Sequence, residues 1–220
     1  MTMRTQKYRS LFKWNMQICN GPDCGEDRMW PVLETCAEME GDIRPATQRG
    51  GWFCGHFLGN QRKCDLIWER PERYDQMAVS HASLIMPTYP VTEDMPLPMQ
   101  AWNVYRGRAI AFHWQQLGVQ VVPVLQWSFD GGARRLFGGL PSGGTFAVEE
   151  ELTDEFDARL AQALAMLGSE LVLVHGQERA IELPTECRFF SDSRSPDAVS
   201  MLYYNQGGKP RGTTDEGARQ

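Results

Sequence analysis

Four short apolar runs punctuate the chain from residue 82 onward: ASLIMP (82–87), VQVVPVLQW (119–127), TFAVE (145–149) and ELVLVHG (170–176). They are bounded by turn-forming or charged residues, the pattern of buried strands. Between the first two lies Pro98–Leu117, where Trp102, Val104, Tyr105, Ile110, Phe112 and Trp114 put apolar side chains on nearly every side. A helix of that kind is sandwiched rather than laid on a surface, and Gly118 is its expected stop. Between the last two, TDEFDARLAQALAML (153–167) carries Phe156, Leu160, Ala163, Leu164 and Leu167 on one stripe. Thr153 is the predicted N-cap there, and Gly168 the predicted end. Strand–helix–strand units of this length predict right-handed βαβ crossovers, hence an α/β fold with a mostly parallel sheet. Pro123, inside the second run, predicts an edge position or a bulge. QERAIELP (177–184) predicts one further short strand.

The first 80 residues pattern differently. Tyr8, Leu11, Phe12, Trp14 and Ile18 form a short amphipathic stretch that would pack on the body. NGPDCGED is a turn cluster, and MWPVLETCAEM (29–39) predicts a short helix with Pro31 in its first turn. GWFCGHFLGNQRKC predicts two extended pieces about a Gly-Asn turn, and ERPERYDQ a polar surface segment. The resulting division is a cysteine-bearing module over 1–80, an α/β domain over 81–205 and a disordered tail over 206–220. That tail has no apolar residue larger than alanine.

Composition adds limits more than content. At 220 residues, 42% hydrophobic and 23% charged, the chain suits one α/β domain with a small appended module. No run approaches 18 uninterrupted apolar residues, so no membrane span is expected. The basic start lacks the apolar core and cleavage site of a secretion signal, which predicts a cytoplasmic protein. A net charge of -6 argues against a broad basic face for nucleic acid. Acidic and basic residues balance in the first 80 positions, so the deficit belongs to the rest and a local basic patch stays open in the first third.

The run P-T-Y-P-V-T-E-D-M-P, then W-N-V-Y-R-G-R, H-W-Q-Q-L-G and V-V-P-V-L-Q-W, followed by F-G-G-L-P-S-G-G-T-F-A-V-E and a strand ending V-H-G, resembles a bacteriophage and mobile-element family known as domain of unknown function 4417. The resemblance covers residues 82–176. It departs from the family pattern at Pro87-Thr88-Tyr89-Pro90, where Pro-Asp-Phe-Ser is expected. It implies a phage or prophage setting, and so a bacterial host cell, and brings no activity with it.

Ligands of open parallel sheets bind outside the carboxyl ends of the strands. Those ends offer Thr88, Tyr89, Glu93 and Asp94, then Gln126, Trp127 and Asp130, then Glu149, Glu150 and Glu151, then His175 and Gln177. Asp130, Glu149 and His175 are the candidate catalytic groups, suited to general acid–base work or to a divalent metal. Glu149–Glu151 would equally serve only the N-terminal dipole of the helix that follows, and His175 a core hydrogen bond. Arg106, Arg108 and Trp127 are candidate substrate-binding residues. The two arginines sit on a helix read as buried, so each needs a partner. That partner is either an anionic ligand or Asp94, Glu149 or Asp130.

Neither nucleotide fingerprint is present. GGLPSGG is followed by a strand and lacks the Lys-Ser/Thr of a phosphate loop, and no G-x-G-x-x-G follows a strand. Of six cysteines, five lie between Cys19 and Cys64. Cys19, Cys24, Cys54 and Cys64, with Cys36 and His56 as alternates, are the candidate ligands of a structural zinc, although no C-x2-C pair occurs. An iron–sulfur cluster is a further reading of the same thiols, and ordinary reduced thiols a third. Two functions remain open. One is a phage accessory enzyme acting on a phosphorylated or nucleic-acid-derived substrate at the strand ends. The other is a zinc-stabilised interaction protein that binds a host or phage partner through exposed aromatics.

Overall fold

The computed structural model describes residues 30–36, 41–47, 49–92, 94–127, 136–151, 153 and 155–191. The amphipathic stretch at 1–18, Cys19, Cys24, Glu93, Asp130 and the tail at 206–220 lie outside them. Seven strands follow one another: β1 (Ile43–Pro45), β2 (Gly51–His56), β3 (His81–Ile85), β4 (Gln120–Val122), β5 (Thr145–Glu149), β6 (Leu171–His175) and β7 (Glu186–Phe190). The helices between them are α1 (Gln61–Glu69), α2 (Asp75–Val79), α3 (Leu97–Gln116) and α4 (Phe156–Leu167). Strands β1 to β4 form one parallel ladder in sequence order, and β5 to β7 form another. The α/β class and parallel pairing agree with the periodicity.

One parallel bridge, Val124 to Ala147, joins the two ladders. The Ala147 N–H donates to the Pro123 carbonyl (2.9 Å), and the Leu125 N–H donates to the Ala147 carbonyl (2.8 Å). In a strand, a residue's N–H and C=O address the same neighbour. Because the Pro123 carbonyl addresses β5, the N–H that proline lacks is the one that would have extended this ladder. Pro123 therefore lies where β4 breaks off between the two ladders, and not at an outer edge, the first of the two positions that the sequence predicted.

Register assigns the faces, since paired residues of parallel strands point the same way and neighbours in sequence point opposite ways. Phe146, Val148, Val172 and Val174 share one face and pack against Phe156, Leu160, Ala163 and Leu164 of α4. Ala147, Glu149, Leu173, His175 and Phe190 share the other. In a flat sheet β2 and β7 would stand five strand spacings apart, about 24 Å. Yet the rings of His56 on β2 and Phe190 on β7 have centroids 5.3 Å apart. The sheet therefore curls until the carboxyl ends of its second and seventh strands meet.

Several local expectations change. The described part of MWPVLETCAEM, residues 30–36, is not helical. It runs as a loop whose Leu33 N–H donates to the Gly139 carbonyl (2.9 Å). The second extended piece expected after Gly59 is the helix α1, started by the Asn60 side chain, which accepts from the Lys63 N–H (3.1 Å). ERPERYDQ holds a 3-10 turn (Pro71–Arg73) and the start of α2. Helix α4 begins at Phe156 without a side-chain cap, after Thr153, and ends as expected at Gly168 in the left-handed conformation. The last strand is ECRFF (186–190), not the preceding QERAIELP. Because β2 and β3 pair, the sheet also runs continuously across residue 80, where the sequence pattern changes.

Candidate functional site

Three side chains meet on the inner face at the carboxyl ends of the strands. Glu149 ends β5 and His175 ends β6, placed side by side by the register. The His175 Nδ1 lies 3.9 Å from Glu149 Oε1. His56 ends β2, and its ring centroid is 5.4 Å from that of His175. Phe190 completes a triangle of rings, its centroid 5.1 Å from His175. His56 is buried, whereas Glu149 and His175 keep 44% and 19% of their side-chain surface in solvent.

Glu149 is held from the other ladder. Its Oε1 accepts the Gly59 N–H at 3.1 Å, across the turn that joins β2 to α1. Burial raises its pKa above the usual carboxylate range; His175, the Gly59 N–H and the Thr88 hydroxyl pull it back down. With nearly half of the side chain still in solvent, the shift is a direction of bias, not a large stability contribution. A carboxyl pushed toward its neutral form beside an imidazole is an arrangement suited to passing a proton. Gln126, two residues beyond the Val124 bridge, stands next to Glu149 in the same layer. Its Nε2 donates to the Tyr89 carbonyl (2.8 Å).

The other candidates are placed elsewhere. Arg106 faces Asp65 (3.7 Å), donates to Asn103 Oδ1 (2.6 Å) and lies over the Tyr89 ring (3.8 Å to its centroid). Arg108 is fully buried; it donates to the Leu136 and Gly138 carbonyls and lies over the Trp30 ring. Burial brings its pKa down to about 9, still above neutrality, so the guanidinium stays charged. Main-chain carbonyls and an indole face thus stand where pairing with Asp94 or Glu149 was expected, while Arg108 Nε has no hydrogen-bond partner among the described residues. Trp127 is buried against Phe156.

The described thiols also separate. Cys36 and Cys54 are electrostatic neighbours, and Cys54 accepts from or donates to Ser83. Cys64 on α1 donates to the Phe57 carbonyl (3.8 Å) and feels both Thr88 and Glu149. Among the described residues, no three His, Cys, Asp or Glu side chains are grouped so as to hold a metal ion. Sequence reasoning placed Glu149 and His175 on one rim but assigned His56 to the cysteines and missed Gly59 and Phe190. The available signal was that GWFCGH, like ELVLVH, is an extended run that ends in histidine.

A family model described as a domain of unknown function, DUF4417, matches residues 38–184. The chain belongs to this family. Its match begins before β1 and takes in residues 38–80 of the segment that the sequence pattern set apart. Two curated relatives are phage proteins, which makes this a phage-associated member. The chain is 27% identical over 149 residues to the Gene 1 protein of Mycobacterium phage D29, covering 68% of this chain and 54% of that protein. It is 28% identical over 144 residues to the Gene 1 protein of Mycobacterium phage L5, covering 61% of each. The chain thus spans little more than half the length of these relatives. No solved structure matches it. Among the described residues, no helix is long and apolar enough to cross a membrane.

Proposed function

We propose that this DUF4417 member is a phage accessory enzyme that performs acid–base chemistry on a phosphorylated or nucleic-acid-derived substrate at the carboxyl ends of its strands. The observation that carries the reading is the meeting of Glu149, His175 and His56, from strands up to four places apart in the sheet order, on one inner layer. Glu149 and His175 would exchange the proton; Asp130, the third candidate catalytic group, lies outside the described residues. The anionic character of the substrate is supported by α1, which opens at the same end of the sheet. Its first turn holds no acidic residue, and Lys63 lies in it.

The test follows the imidazole signals of His56 and His175 by NMR while inorganic phosphate and the four nucleoside monophosphates are added in turn. Saturable shifts are expected with at least one of these probes. His175→Asn is expected to weaken binding about tenfold, the loss of one charge-assisted hydrogen bond. Signals that stay put through millimolar additions of every probe would remove the reading.

A zinc-stabilised interaction protein is the second reading, favoured by exposed apolar residues on neighbouring helices. Leu66 on α1 is 46% exposed, and Met99 and Trp102 on α3 are 54% and 42% exposed. Trp102 stacks on Tyr105 and meets Trp68 edge to face. This reading expects about one zinc per chain by elemental analysis, and a lowered melting temperature once a chelator removes it. Metal-free protein whose melting ignores chelator would leave it without support.

A further inference from the structure

We propose that residues 8–18 of this chain, which lie outside the described residues, dock on the aromatic face that α3 presents beside α1 and cover its exposed rings in cis. The proposal is independent of the chemistry at the strand ends.

Met99, Trp102 and Tyr105 follow at three-residue intervals and so share one side of α3. Met99 and Trp102 are the large apolar side chains that α3 leaves exposed. Trp102 stacks on Tyr105, with ring centroids 5.7 Å apart, and meets Trp68 of α1 edge to face at 5.5 Å. Rings that brace one another while one side faces solvent make an apolar surface of the kind that marks an interaction site.

Two observations name the occupant. The first is where the chain enters the described structure. Trp30 is buried with Val104 of α3 and packs against Ala101 and Tyr105, so it touches a member of the patch. The 11 residues from Cys19 to Met29 reach at most about 40 Å, and Met99 to Tyr105 covers about 9 Å of helix. A tether that short keeps residues 8–18 beside the patch at a millimolar effective concentration. The second is the pattern of the segment itself. Tyr8, Leu11, Phe12 and Ile18 recur at helical spacing, opposite Arg9 and Lys13. The segment has no acidic residue before Asp23, in a chain whose net charge is -6. Asp65, three residues before Trp68 on the row of α1 that faces α3, keeps 53% of its side chain in solvent. An apolar stripe flanked by cations thus matches an aromatic face edged by a carboxylate. A partner that binds the same rings has to displace the segment first.

The experiment puts p-benzoylphenylalanine in place of Phe12 in the full-length chain, irradiates it in dilute solution and maps the cross-links by mass spectrometry. Cross-links within one chain to Met99 or Trp102 are expected. They should fall severalfold in Leu11→Asp and little in Arg9→Ser, which leaves the apolar stripe intact. The methyl signal of Met99, assigned through Met99→Leu, gives a second readout without a photoreactive group. It is expected to move in Leu11→Asp and to hold its place in Arg9→Ser. Cross-links that join two chains would assign the face to a second copy and overturn the proposal. Cross-links elsewhere or none, with a Met99 signal that ignores Leu11→Asp, would overturn it too and leave the rings to a separate partner. None of these readouts involves the phosphate probes, so the strand-end chemistry stands or falls on its own.

Discussion

Cys36, Cys54 and Cys64 are each 1% exposed. Burial pushes the first and third up to about 12 and the second up to about 11, from an ordinary value of 9.0. A thiol raised on folding holds its proton in the native state after the unfolded chain has lost it. Its contribution is fully present below pH 9.0 and is lost as pH rises through 11 to 12. Urea midpoints are therefore expected to fall steadily as pH is taken from 9 toward 11. Tyr89, raised by burial in the same direction, adds to the trend. A midpoint that stays level across that window would show that these side chains reach solvent. The sequence marked the cysteines as a cluster, but spacing along the chain cannot distinguish a ligand set from core residues. Two of them lie in different surroundings here, Cys54 beside Ser83 and Cys64 beside Phe57.

At the level of the elements, α3 shows how a sequence signal can be right in type and silent about fit. Its all-round apolar character predicted a sandwiched helix, and Val104, Ala109, Ile110, Ala111 and Trp114 are indeed buried. What the pattern does not say is why Gly107 sits mid-helix, where alanine is favoured by about 1 kcal/mol. A methyl group there would stand 2.5 Å from the Pro87 carbonyl oxygen. Gly107 is the point where α3 presses on the chain leaving β3, one residue before Thr88. Gly107→Ala is therefore expected to destabilise the protein, against its helix propensity, by about 1–3 kcal/mol, read from denaturant unfolding. A gain in stability would mean that the helix lies farther from the sheet. α1 was harder to read, because only Cys64 and Ile67 of its nine residues are buried. An apolar signal that short cannot be told from an extended piece.

For the whole molecule, strand order was legible and curvature was not. Each strand–helix–strand unit announces a local crossover, but the distance between β2 and β7 depends on how twist accumulates over every strand between them. The proximity of His56 to His175 is a product of that accumulation. No window of residues contains it. Phe190, which completes the ring triangle, lies past residue 184, where the family match stops. Glu149 and His175 could be placed from the sequence because their strands are neighbours with one helix between them, whereas Gly59 reaches Glu149 across the junction of the two ladders.

That junction has a mechanical consequence. Among the described residues the β4–β5 contact is one parallel bridge next to a proline, held by two backbone hydrogen bonds, while the neighbouring strands pair over three to five residues. Sideways load or thermal motion will concentrate there, as it does on the fold line of a stiff card. Glu149 stands on one leaf and accepts a hydrogen bond from Gly59 on the other. The chemistry therefore shares its fastening with the crease, and whatever tightens around that carboxylate also fixes the angle between the two leaves.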